Sequence, residues 1–325
     1  MPAARGFYPE NRDSASRKAV MHPMLKSIQR SGRKYWDLYL LLIPTAVYFV
    51  IFKYLPMIGL QIAFRDYMPR LGYWDSPWLG LDYFRRFFSF YSSWRIILNT
   101  LTLSALNLLF TFPLPILLAL LLNEMRAAGY KKLIQTVTYA PHFLSTVVIV
   151  GMITAFCSPS SGVVNSIIKI FGGEPIYFMA KREWFRPLYV ISEVWSTMGW
   201  NSIIFLSALT GVDQQMYEAA RIDGASRWQT LWRITLPSIL PTISIMLIIN
   251  CGHVMSLGFE KVYLMQTDLN IDVSRVISTF VYEQGILATQ TSYASAIGLM
   301  NSLVNFILVI SVNWISKKLS EVSLW

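Results

Sequence analysis

Long apolar runs and short polar intervals alternate along this 325-residue chain, and the lengths of the runs decide its fold class. Six runs reach the roughly 20 residues that a helix needs to cross the hydrocarbon core of a bilayer. They lie at 38–64, 96–123, 133–157, 188–210, 234–257 and 292–316, which predicts an all-α integral membrane protein with six transmembrane helices. In lipid the backbone has no water to bond, so runs of this length must satisfy themselves as helices. Prolines mark the expected irregularities. Pro44 and Pro56, with Lys53 between them, predict a bend in the first span; Pro113 and Pro115 fall in the second, and Pro141 lies beside His142 in the third. Pro237 and Pro241 open the fifth, where a missing N–H costs the ladder least.

One polar interval, 211–237, does not read as a simple connector. Its residues 217–237, YEAARIDGASRWQTLWRITLP, predict two short helices. Asp213 caps the first, and Gly224 ends it by taking the left-handed conformation that a Cβ resists. Ser226 with Gln229 makes a capping box for the second. There Trp228, Leu231, Trp232 and Thr235 fall at i, i+3, i+4 and i+7, with Arg227 and Arg233 off that stripe, so the helix has one apolar side. Such a helix suits contact with another protein at a membrane surface.

Composition agrees with the pattern: 54% of residues are hydrophobic and 14% charged, against about 45–50% apolar in ordinary soluble domains. The net charge of +10 is no sign of a nucleic-acid partner, because its clustering follows the membrane pattern. Eight basic residues (Arg5, Arg12, Arg17, Lys18, Lys26, Arg30, Arg33, Lys34) precede the first run and predict a cytoplasmic segment over 1–36. With the N-terminus inside, the inner segments hold sixteen Lys and Arg, and the three outer loops, each about 30 residues long, hold eleven. That bias predicts cytoplasmic N- and C-termini in a multi-pass inner-membrane protein. The first run is too long for the core of a cleavable signal, so it is expected to stay as a span. Cys157 and Cys251 sit in or beside apolar segments and form neither a metal site nor a disulfide framework.

Polar side chains inside hydrocarbon either bond a neighbouring helix or line a wet path. Glu193, Trp195, Ser196, Trp200 and Asn201 cluster in the fourth span, Asn250 and His253 share a face in the fifth, and Gly298, Asn301 and Asn305 share one in the sixth. Planar polar groups and aromatic faces suit a carbohydrate path, and helix-to-helix bonding uses the same residue types; both readings stand. The outer loops 65–95, 158–187 and 258–291 mix aromatics with charges, as interfacial anchors do and as a platform for an extracytoplasmic binding protein would. The sequence has no GxxxxGK[ST], GxSxG, HExxH or CxxC, so no catalytic role is expected. An ion-coupled secondary carrier of a small polar solute is the alternative, but it calls for intramembrane carboxylates and paired repeats. Glu193 is the sole acidic candidate and the halves do not resemble each other.

The spacing Glu218-Ala219-Ala220, Gly224, Ile234-x-Leu236-Pro237 resembles the EAA loop of ABC-importer permeases without a mismatch. The resemblance implies a cytoplasmic coupling helix seated in a groove of an ATPase subunit, with Glu218 as a polar contact and Ala219 and Ala220 allowing close approach. Asp223, Gly224 and Trp228 complete the implied coupling set. The stretch YAPHFLS at 139–145 and the chain from 258 to its terminal Leu-Trp resemble the LplB-like branch that takes oligosaccharides and polysaccharides. Within it, the likeness extends to importers of uronic-acid polymers such as alginate. The implied architecture is a type I permease fold over 37–325, without a cofactor of its own. The implied partners are a homologous second permease, two ATPase subunits that bind ATP and Mg, an extracytoplasmic solute-binding protein and the sugar.

Overall fold

A computed structural model describes residues 35–255 and 257–320, with side chains described as far as Lys318. The expected basic segment lies almost wholly outside the described residues, as does the terminal Leu-Trp. Among the described residues the chain is helical with no strand, and Arg65 and Trp78 form an isolated antiparallel bridge. The chain divides into two compact units, Met1–Gln61 and Ile62–Trp325.

The first apolar run is a helix from Trp36 to Phe64. It is α-helical over Trp36–Phe49, widens to a π turn over Val50–Tyr54 and tightens to 3₁₀ over Leu55–Phe64. Pro56 explains the change: it has no N–H to give the carbonyl four residues back, and its ring needs room there, which the wider turn supplies. The same device recurs in the fifth run. There the π turn Leu231–Thr235 immediately precedes Leu236 and Pro237, and the Ser238 hydroxyl donates to the Ile234 carbonyl at 2.7 Å.

Among the described residues, four helices are long and apolar enough to span a membrane: Trp36–Phe64, Ser93–Glu124, Arg227–Gly252 and Thr291–Lys318. The third expected span is not straight. It is a pair, Ala128–Phe143 and Thr146–Phe156, bent by 105° at its break. Pro141 stands in a 3₁₀ turn, and Ser145 starts the second helix by accepting from the Val148 N–H, so local chemistry ends one helix and begins another inside a continuous apolar run. The fifth span also begins earlier than its apolar residues indicate: the second loop helix runs without interruption from Arg227 to Gly252, leaving both prolines inside it.

The helix Arg182–Thr210 forms the centre of the larger unit. Its 29 residues extend about 43 Å at 1.5 Å per residue, longer than the ~30 Å hydrocarbon core. Glu193 and its serines and threonines make it less apolar than the four spans above. Ser192, Ser196, Gly199 and Ser202 are buried along it, and small residues let neighbouring backbones approach. A methyl group on Gly199 would stand 2.9 Å from the Tyr139 nitrogen and closer still to the Thr138 carbonyl. Two apolar clusters include this helix, one around Phe185, Tyr189 and Val262 and one around Phe205, Leu209 and Ile239, while a third, around Phe87, Phe280 and Tyr293, packs other elements of the unit together.

The connecting segments are themselves ordered by buried polar groups. Asn165 holds the 158–176 loop by donating to Cys157, Ser158 and Ile176 carbonyls and accepting from the Ile176 N–H at 2.7 Å. Asn99 donates to the Asp272 and Arg275 carbonyls. Arg95 and Arg182 both pair with Asp272, and Arg275 with Glu283 at 2.7 Å.

Candidate functional site

The polar interval forms the two helices its sequence predicts. Asp213 accepts from the Gln215 N–H at 2.9 Å and starts the helix Gln214–Ile222. Gly224 ends it at φ +75°; its N–H bonds the Arg221 carbonyl at 3.1 Å and the Ala225 N–H reaches back to Ala220 at 2.9 Å. These two bonds are a complete Schellman motif, satisfying carbonyls that a helix end otherwise leaves bare. Ser226 and Gln229 then close a reciprocal capping box, with the Ser226 N–H on Gln229 Oε1 at 2.8 Å. Tyr217 ties the loop down by donating to Thr235 Oγ1 at 3.3 Å while packing beside Phe205 and Leu209.

Glu218, Ala219, Asp223, Gly224 and Trp228 are exposed; Ala220 is buried against this chain. Of the two alanines only Ala219 is therefore presented outward. The expected apolar stripe is split by the π turn, which adds a residue to the repeat: Trp228 and Trp232 are exposed and meet edge to face at 5.6 Å, whereas Thr235 is buried. Ile222, 86% exposed, is an apolar side chain that the sequence pattern did not single out. It is the lone large aliphatic at the end of a polar helix, and that isolation is its signal. A polar cleft of about 320 Å³ lies beside the loop, lined by Glu124, Arg126, Arg221 and Arg227 among others.

A second locus forms where the broken pair meets the central helix. His142, placed by the break, stacks on Trp200 with centroids 4.4 Å apart and planes within 5°, and Phe143 meets the same indole at its edge. A cavity of about 450 Å³ opens there, lined by His142, Thr146, Glu193, Ser196, Thr197 and Lys261 among others. Glu193 Oε2 and Lys261 Nζ are 2.7 Å apart, and the Lys261 side chain is 6% exposed. Its ammonium also lies over the Tyr189 ring. Burial pushes the Lys261 pKa down, and the Glu193 carboxylate opposes that shift. Sequence reasoning missed Lys261 and the stacking role of His142; a lysine within the apolar stretch FEKVYLM was the available signal.

The remaining expected path residues are dispersed. Trp195 lies five residues from Trp200, about 140° around the helix, and neither indole is among the cavity's lining residues. Asn201 is half-buried beside Trp200. Asn250 donates back to the Met246 carbonyl at 2.7 Å, and His253 is exposed just after the helix end at Gly252. Asn301 donates to the Met255 carbonyl at 3.2 Å, and Asn305 accepts from the Met255 N–H at 3.0 Å. These last two amides hold backbone groups that the end of the fifth span leaves without helical partners. Gly298 has open space where a Cβ would stand, so no close helix contact within this chain requires it.

Residues 111–321 match the family of binding-protein-dependent transport system inner membrane components, and the chain belongs to that family. It is a type I permease subunit of an ABC importer and does not itself hydrolyse ATP, which excludes the secondary-carrier reading. Protein LplB of Bacillus subtilis (strain 168) is 49% identical over 288 residues, covering 89% of this chain and 91% of that protein. The polygalacturonan/rhamnogalacturonan transport system permease protein YteP of the same organism is 46% identical over 298 residues, covering 92% and 91%. Among solved structures, a chain of a bacterial ABC transporter involved in import of the acidic polysaccharide alginate superimposes with a TM-score of 0.84 at 42% identity, covering 92% of this chain and 99% of that one. A second structure of a bacterial alginate transporter, in complex with alginate pentasaccharide-bound periplasmic protein, matches with the same TM-score at 41% identity. A second permease, an ATPase and a solute-binding protein are the partners of such a subunit.

Proposed function

We propose that this chain is one half of the membrane path for an oligosaccharide or polysaccharide, with alginate or its oligosaccharides inside that class. The observation that carries the reading is the cavity whose lining brings His142, itself stacked on Trp200, and Phe259 together with Glu193, Ser196 and Thr197. Sugar rings present C–H faces and hydroxyl edges, and this surface offers a complement to each. The names of the relatives at 46% and 42% identity supply the acidic-polysaccharide class. Glu193 lines the path, Trp200 backs it by holding His142, Asn201, Trp195, Asn250 and His253 contribute from other faces, and Asn301 and Asn305 act by holding Met255 in place.

In this reading residues 37–325 are the permease domain, both termini are cytoplasmic, and loop 211–237 faces an ATPase pair that binds ATP and Mg. Glu218, Ala219, Asp223, Gly224 and Trp228, with Ile222, meet the ATPase; Ala220 supports them from beneath. The test is ATP-driven uptake by the complete importer in proteoliposomes, offered labelled alginate oligosaccharides, oligogalacturonides and neutral arabino-oligosaccharides. Uptake of an acidic oligosaccharide in preference to the neutral one supports the reading, and ATP-dependent uptake of none of the three overturns it.

A further inference from the structure

The short helix Phe259–Met265 has two unlike sides. Lys261, Val262 and Met265 are buried, and Lys261 reaches Glu193 in the cavity wall. Phe259 and Tyr263 stand one turn apart on the other side, their rings stacked at 5.4 Å with planes 23° apart. Tyr282, at the end of the helix Ile277–Tyr282, meets both rings, with centroids 4.8 Å from Phe259 and 5.1 Å from Tyr263. Phe259 also lines the cavity that Glu193, Ser196 and Thr197 line. The three rings therefore make an aromatic surface continuous with that cavity, and Tyr263 is 38% exposed on it. Neither tyrosine hydroxyl has a hydrogen-bond partner among the described residues.

A cavity of about 450 Å³ is at the scale of one drug-sized molecule, whereas a sugar chain of several units is longer and must extend beyond it. Tyrosines that only anchor a protein in the membrane interface need no contact with a polar cavity; here the ring that lines the cavity also holds the other two. The negative face of an aromatic ring attracts the slightly positive C–H groups of a sugar, and a phenol hydroxyl can donate to the sugar's own hydroxyls. We propose that Phe259, Tyr263 and Tyr282 form a second sugar subsite, on which the unit next to those in the cavity stacks. This subsite extends the sugar path proposed above and depends on that reading. The stacking face of a sugar is the same with or without a carboxylate, so the subsite senses chain length rather than acidity.

The test is ATP-driven uptake by the complete importer in proteoliposomes, with the binding protein saturating and labelled alginate and galacturonate oligosaccharides supplied as disaccharide and as pentasaccharide. Tyr263→Ala should lower the pentasaccharide-to-disaccharide rate ratio about fivefold, the equivalent of about 1 kcal/mol at ~1.4 kcal/mol per tenfold. Tyr263→Phe keeps the ring and should keep most of the ratio. Leu264→Ala, at a neighbouring position 39% exposed but outside the ring surface, should keep the parent ratio. A parent-like ratio in Tyr263→Ala, or an equal fall in Leu264→Ala, overturns the subsite and leaves the sugar path standing. Uptake of neither sugar length by the parent overturns the sugar path itself, and the subsite with it.

Discussion

Gly199→Ala tests whether the central helix is held against the broken pair as closely as its geometry demands. In a helix interior this change is normally favourable by about 0.8–1.0 kcal/mol, because glycine is the more costly residue to order. Here the added methyl would meet the Tyr139 nitrogen at 2.9 Å and press harder on the Thr138 carbonyl. Both are backbone atoms that cannot swing aside, and overpacking of this kind costs about 1–3 kcal/mol. The clash should outweigh the propensity gain. The residues it displaces lead directly to His142, so the Trp200 stack should loosen as well. Gly298→Ala is the control, since a Cβ there meets nothing within 4 Å. Thermal unfolding of the purified complex should give a lower Tm for Gly199→Ala and an equal or higher Tm for Gly298→Ala, with sugar uptake reduced in the first alone. If Gly199→Ala is as stable and active as Gly298→Ala, the close approach at Thr138 is not real and the placement of His142 falls with it.

Lys261→Met alone should destabilise by about 1–3 kcal/mol, because it leaves the part-buried Glu193 carboxylate without its charged partner; adding Glu193→Gln should recover most of that loss, and a double variant as unstable as the single would refute the pairing. Asn305→Ala should cost about 1–3 kcal/mol of stability, for leaving the Met255 N–H unsatisfied, seen as a lower Tm, and an unchanged Tm in thermal unfolding would show that this bond does not hold Met255. Reporters fused near residues 128 and 222 should read as cytoplasmic and those near 75, 175 and 270 as external, and a cytoplasmic signal at 175 would overturn the proposed orientation.

Local chemistry was the legible part of this molecule. Asp213, Gly224, Ser226 and Gln229 act through neighbours within five residues, so their caps could be read from spacing and appear with the expected bonds. Apolar run length likewise located the four helices long and apolar enough to span, and the run that forms the broken pair. Run length could not reveal the 105° break, because the turn at Pro141 and the cap at Ser145 lie inside a sequence that stays apolar throughout. Nor could it give the phase of Trp228 and Trp232 relative to Thr235, which the π turn ahead of Pro237 resets. Lys261 with Glu193 and Asn301 with Met255 are separated by 68 and 46 residues, so helix periodicity carries no information about either contact.

The central claim, that the 211–237 loop transmits ATPase work to the sugar path, is tested most directly by the ratio of sugar taken up to ATP hydrolysed in proteoliposomes holding the complete importer. Gly224→Val is the informative variant. Its Cβ meets no atom within 4 Å, so the substitution acts only through the φ of +75°, which costs a branched residue on the order of 1–2 kcal/mol. Re-angling the Ser226-capped helix would shift Trp228, which the reading places against the ATPase. The account predicts that Gly224→Val lowers the ratio severely and Glu218→Ala lowers it mildly, with membrane insertion and binding-protein affinity unchanged. Parent-like ratios in both variants would contradict it.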